Sequence, residues 1–350
     1  MPNQDELIDY LKNSQLCALP QSASQMIELS KNPDNGPQEY AKPISADPGL
    51  TTQVLRFVNS SFFGFGCTIT SLPLALTLVS LQMIRNFVLW NGLFAMLPNP
   101  RCGPFSLKAL FLDALRRAVF ARHVAERYTK IDAEEAFTCA LMQDIAIPLL
   151  AQKWESEYSE MIHKTNTEPV RLSTLERDGM EWNHADAGAV LARNWNLGET
   201  TGIAVAKHID GIPTCHPACK PTLNNITALS ALLPKVPDLE WFEVLNFVDA
   251  FRKMFGHKLV DISAILDNTD TVSDQLAALV NLGNAPKSLN ESWQETLGGY
   301  SWTGTGENLA TEEQLEEYFT QGTFPSEQPP GHDWIGAKCQ MITSGRYPVK

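Results

Sequence analysis

The stretch CALMQDIAIPLL, residues 139 to 150, carries a single acid, Asp144, directly after the amide of Gln143. An ionised carboxylate among apolar side chains costs on the order of several kcal/mol unless it pairs, binds a cation or takes up a proton. The side chains elsewhere that could answer it are Arg116, Arg117, Arg122, His123, His184, Lys207 and His208. Carboxylate and imidazole donors together form the kind of set that holds a divalent ion and activates a water for hydrolysis. Gln143 offers only a neutral carbonyl, a weak ligand for such an ion. The pair therefore reads either as a working metal site or as what is left of one.

Other constellations carry less. Cys215, His216 and Cys219, in CHPAC, have the residue types of a zinc cluster. Their C-x3-C spacing departs from the usual two-residue pattern and no second pair follows, so a loop with incidental thiols is expected. No local signature links a cysteine to a histidine for nucleophilic catalysis. Neither GxxxxGK[ST] nor a strand-borne GxGxxG occurs, which leaves nucleotide-triphosphate and dinucleotide sites without support. A net charge of -13 argues against a nucleic-acid partner, whose phosphates demand clustered Lys and Arg.

The elements that must position these residues are helical. Asp47 can cap a helix opened by Pro48, with Leu50, Val54, Leu55 and Val58 on one face. From Ser106 to Tyr128, Leu107, Leu110, Phe111, Ala114, Ala118 and Ala121 keep a 3.6-residue stripe. Asp132 with Glu135 makes a capping box for a helix expected to run to Pro148. On that helix Phe137, Leu141, Asp144 and Pro148 stack, which points the carboxylate into the core. Asn183 with Asp186 opens another helix and Gly198 stops it; further helices fit 200–209, 222–233, 239–255 and 274–282.

Residues 72 to 97 are apolar enough to suggest a membrane span, but Gln82, Arg85, Asn86 and Asn91 interrupt them. Each would be costly in hydrocarbon, so a buried pair of helices and no membrane is expected. The turn-rich PNPRCGP, 98 to 104, marks a boundary. The fold class is all-α: a leader helix (1–17), an N-terminal helical bundle (18–100), a second helical block (101–285) and an irregular tail (286–350). That tail holds nine Asp plus Glu against four Lys plus Arg and is expected to be poorly ordered or loosely docked. The seven cysteines are scattered, and MPNQDELIDYLKN lacks the layout of a signal peptide, so a reducing cytoplasm is expected.

Five stretches, in order, carry a resemblance: LPQSASQMIELSKNPD, ISADPGLTTQVLRFVNSSFFGFGCTITSLPLAL, FTCALMQDIAIPLL, WNHADAGAVLARNWNLGE and AVAKHID. They resemble the HDOD domain, a bacterial relative of the HD metal-dependent phosphohydrolases that usually lacks their catalytic His-Asp pair. The resemblance spans roughly 18 to 235, about 60% of the chain. It implies an HD-like helical block, with Asp113 where catalytic relatives have a first metal-binding His and Gln143-Asp144 where they have His-Asp. Their late Asp falls near Ser230, and Ser80 stands where Gly is common. If a divalent site survives, Asp113, Asp144, His184 and His208 would form it.

The residue chemistry favours plainer roles. Asp113 precedes Arg116 and Arg117 by three and four residues, the spacing of a helical ion pair. Asp144 would accept hydrogen bonds from an Arg, a His or a helix end. His184 would be a turn residue beside Asn183, and His208 a cation near a helix end. The resemblance implies a non-enzymatic, cytoplasmic bacterial signalling module with no cofactor. It would contact a protein partner through the groove between its two helical parts. The alternative is a divergent phosphohydrolase acting on a nucleotide or cyclic dinucleotide, with Asp144, His184 and His208 as surviving ligands. Nucleotide sensing without hydrolysis is a third possibility, and would need a basic pocket.

Overall fold

The structure, a computed structural model, describes residues 4–13, 19–210, 221–255 and 262–297. They form seventeen helices and no strand. The N-terminal part comprises α1 (Gln4–Asn13), α2 (Gln21–Ser30), α3 (Pro37–Ser45), α4 (Pro48–Val58), α5 (Leu72–Leu78) and α6 (Leu81–Met96). The second block begins with α7 (Leu107–Tyr128), α8 (Ala133–Met142), α9 (Ile147–Lys153), α10 (Glu155–Thr167) and α11 (Leu172–Met180). It continues with α12 (His184–Asn194), α13 (Glu199–Lys207), α14 (Leu223–Ser230), α15 (Val244–Phe255), α16 (Ile262–Leu279) and α17 (Leu289–Leu297).

Local chemistry starts these helices where the sequence predicts. Asp47 accepts from the backbone N–H groups of Gly49 and Leu50 at 2.8 and 3.0 Å, with Pro48 in the first turn. Asp132 accepts from those of Glu134 and Glu135 at 2.9 and 2.8 Å. Asn183 and Asp186 form the expected reciprocal capping box. The apolar run at 72 to 97 is the expected pair, α5 and α6, meeting at 117°. No single described helix is long and apolar enough to cross a membrane.

Three expectations are corrected. The helix expected over 239–255 starts only at Val244, and the one expected over 274–282 is the end of α16. Its polar stretch DNTDTVSD reads like a loop because its buried polar residues find partners the sequence does not display. Thr269 and Ser273 donate to the carbonyls of Ile265 and Thr269, and Asp270 accepts the Leu289 N–H that opens α17. The tail expected from 286 begins inside this packing, since Leu289 and Trp293 are buried and Trp293 lies 5.9 Å from Trp241, ring to ring. The rest of the tail, from 298, lies outside the described residues.

α7 runs through the middle of the second block, against α8, α14 and α16. It is buried nearly all round, including Asp113, Arg116 and Arg117. The apolar core continues from Leu7 and Val54 through Leu115 to Trp182 and Leu282, so the 98–104 connector links parts of one core. Where α6 meets α8 the contact is polar: Asn86 donates to Glu134 at 2.8 Å and accepts from Thr138 at 2.8 Å, while Arg122 holds the other Glu134 oxygen at 2.7 Å. The leader helix α1 lies on the second block. Leu7 and Leu11 are buried, α1 packs on α12, and the Tyr10 hydroxyl donates to the Leu149 carbonyl at 3.1 Å.

Candidate functional site

The helix carrying Asp144 is broken, contrary to expectation. α8 ends at Met142, residues 143–146 turn, and α9 begins at Ile147 with Pro148 in its first turn. Proline has no N–H, and in a continuous helix its ring would strike the carbonyl four residues earlier, that of Asp144. The chain instead tightens, so that the Ile147 N–H takes that carbonyl at 3.1 Å. Asp144 is thereby set in a turn, its carboxylate aimed at α7, α12 and the end of α13.

Three cationic or imidazole groups converge on it. Arg117, one turn along α7 from Asp113, forms a buried ion pair with Asp144 Oδ2. Asp144 Oδ1 lies 3.3 Å from His184 Nε2 and 3.5 Å from His208 Nε2. Gln143 supports the same guanidinium: with its amide oxygen toward Arg117 it accepts from Nε at 3.2 Å and from Nη1 at 3.3 Å. The other end of that amide lies 3.4 Å from Ser230 Oγ. The amide thus has a structural task, bridging Arg117 and Ser230.

His184 is held from behind by Glu176 of α11, a residue with no exposed surface. Glu176 accepts from the His184 backbone N–H at 2.9 Å and lies 2.6 Å from its Nδ1, while Tyr158 donates to its other oxygen at 2.6 Å. Neither Glu176 nor Tyr158 is among the sequence candidates. A signal for Glu176 exists: with Ser173 and Met180 it completes the buried face of α11 at i, i+3 and i+7.

Burial works against the charge on His184, but Glu176 and Asp144 outweigh it and push its pKa up to about 10. The imidazolium therefore donates at both nitrogens. Burial lowers the pKa of His208, which stays neutral, with Nδ1–H donating to the Val205 carbonyl at 2.6 Å. Its bare Nε2 faces His184 Nε2 at 3.3 Å. Burial alone would raise Asp144, yet Arg117 and the His184 imidazolium hold it well below the usual carboxylate range.

Asp113 does not make the expected local ion pair. Arg116 goes to Asp270 at 3.2 Å and Arg117 to Asp144, because partners from α16 and the α8–α9 turn reach them first. Asp113 instead accepts the Val236 N–H at 2.7 Å. Asp144, His184 and His208 offer ligand atoms within 4.8 Å of one another, and Asp113 is not part of that group. The position of a cation beside Asp144 is taken by Arg117. The residues do not fit a catalytic metal centre. The thiols of CHPAC lie outside the described residues.

Gly188 brings the two imidazoles together. It sits one turn after His184 on α12, and a Cβ there would come within 2.8 Å of Val205 Cγ1, three residues before His208. Gly188→Ala is expected to force α12 and α13 apart, destabilising the protein by about 1–3 kcal/mol. The His184 and His208 ring resonances should shift as the pair separates. Unchanged stability in denaturant titrations would show that the close approach is not needed.

An uncharacterized protein of Treponema pallidum is 26% identical over 219 residues, which cover 59% of this chain and 40% of that protein. The chain thus spans about two fifths of that relative's length. A structure from Shewanella amazonensis, provisionally named a phosphohydrolase, aligns with a TM-score of 0.60 at 16% identity, over 79% of this chain and 97% of that one. Another from Marinobacter aquaeolei, provisionally named a signal transduction protein, aligns at 0.59 and 18% identity, over 80% of this chain and 65% of that one. These likenesses establish the fold. The model of the HDOD domain matches residues 16–210, more than half of the sequence, and the chain belongs to the HDOD domain family.

Proposed function

We propose that this chain is a non-catalytic regulatory module of the bacterial cytoplasm that works through contacts with a protein partner in a signalling pathway. One observation carries the reading: the Arg117 guanidinium sits on Asp144 where a hydrolase would need a metal ion. To admit a divalent ion, Arg117 would have to leave a buried carboxylate and His184 would have to lose a proton held by Glu176. Each step opposes the ion's binding. The groove between the N-terminal bundle and the second block, lined by Lys31, Arg85, Asp132 and Glu135, offers the polar surface for the partner.

Protein purified without added ions is expected to hold far less than one metal per chain. It should also give no metal-dependent turnover across a panel of nucleotides and cyclic dinucleotides. A second reading, a divergent phosphohydrolase, draws on the convergence of Asp144, His184 and His208. It agrees with the provisional name of the Shewanella protein. Stoichiometric metal, with turnover abolished by Asp144→Ala in a variant that still folds, would establish it and overturn the first.

A further inference from the structure

The cavity that reaches Asp144, His184 and His208 continues beyond them toward the loop before α15. It encloses about 160 Å³, and its wall is mostly apolar, with Phe105, Leu110, Ile162, Leu233 and Phe242 among its residues. An engineered cavity of about 150 Å³ is large enough to take benzene.

Four carboxylates line this space: Asp144 and Glu243, each held by an arginine, Asp113 from α7 and Asp238 from the loop. Asp113 is only 5% exposed. One of its oxygens accepts the Val236 N–H, and among the described residues its other oxygen meets no hydrogen-bond donor. The cations of the wall are committed elsewhere: Arg117 to Asp144, Arg171 to Glu243 at 2.5 Å, and His184 to Glu176. Lys235 alone remains, and it acts on Asp238. Counting Glu176, which lies behind the wall and holds His184, five carboxylates meet four cations, and Asp113 is the one left over. Burial pushes the pKa of Asp113 up to about 7, and the nearby Asp238 adds to the rise although Arg117 and Arg116 oppose it across space. A bound cation would relieve both carboxylates.

We propose that this cavity binds a small organic monocation, an ammonium or amidinium head on an apolar body about the size of a benzene ring. The head lies against Asp113 and Asp238, and the body fills the apolar wall. An anion would meet the surplus carboxylate. A metal ion would find no third donor near Asp113, because the converging ligand atoms belong to Asp144, His184 and His208. The cavity's ligand is independent of the protein partner proposed above.

Isothermal titration of the full chain at about pH 8, where Asp113 is ionised, tests it with benzylammonium, benzyl alcohol and benzoate as probes. Benzylammonium is expected to bind one per chain, with the neutral and anionic analogues about tenfold weaker or worse. Asp113→Asn keeps an acceptor for Val236 and should weaken benzylammonium about tenfold while leaving benzyl alcohol unchanged. Lys235→Gln removes the competing cation and should tighten benzylammonium. If Asp113→Asn unfolds, Lys235→Gln still decides. Equal affinity for the three probes, no benzylammonium heat up to about 10 mM, or no response to these substitutions overturns the proposal.

Discussion

Replacing Arg117 by methionine is expected to destabilise the protein by about 3–5 kcal/mol, because it leaves Asp144 charged and buried without its guanidinium. The loss reflects the abandoned partner more than the worth of the pair. The double replacement Arg117→Met with Asp144→Leu should therefore recover most of it, in urea unfolding followed by helical circular dichroism. A second result distinguishes this arginine from an ordinary core residue. With the guanidinium gone, Asp144, His184 and His208 are free to converge on an ion. Zinc or manganese should then raise the melting temperature of Arg117→Met, by the ordinary linkage of ligand to folding, and leave that of the wild type where it was. A single variant as stable as the wild type, or one indifferent to both metals, contradicts the idea that arginine stands in the cation's place.

Glu176→Gln should cost nearly as much, near the lower end of about 3–5 kcal/mol at pH 6, since the imidazole can escape part of the penalty by shedding its proton. Its signature is the pH profile. His184 has a folded pKa near 10 against an ordinary 6.5. The support it gives is complete below pH 6.5 and disappears as pH rises through 10. Asp113, raised from 3.8 to about 7, acts in the same sense in a lower window: burial of its neutral form is tolerated, and the cost of its charge grows between those values. Asp144 acts oppositely, since its depressed pKa gives support above 3.8 that is lost on acidification. The wild type should be most stable in mildly acidic solution and weaken steadily toward pH 10. Glu176→Gln should flatten the limb above pH 6.5 and leave the limb between 4 and 6.5 in place. An unaltered alkaline limb would mean that His184 is not the titrating group.

What the sequence makes legible depends on how far a cause reaches along the chain. The caps at Asp47, Asp132 and Asn183 act within three residues, and all lie where the residue pattern puts them. Asp144 announces that it needs a partner, and Arg117, His184 and His208 are all among the candidates. Nothing local says that all three arrive together, across separations of 27 to 64 residues. His184 and His208 do occupy a helix start and a helix end, as their neighbours imply, yet those positions hide their meeting at 3.3 Å. Pro148 signals the end of a helix, but its ring acts on the carbonyl four residues back, so the break falls at Asp144 itself. α16 is masked by polar residues whose partners, Arg116 and the start of α17, lie far away in sequence.

The position of α1 has a practical side. The family match begins at residue 16, after this helix, whereas Leu7, Leu11 and Tyr10 are seated on α12, Leu149 and Trp154. A fragment trimmed to the family boundary would uncover that seat and wet the Trp154 ring. The same seat places α1 directly on the helix whose first residue is His184.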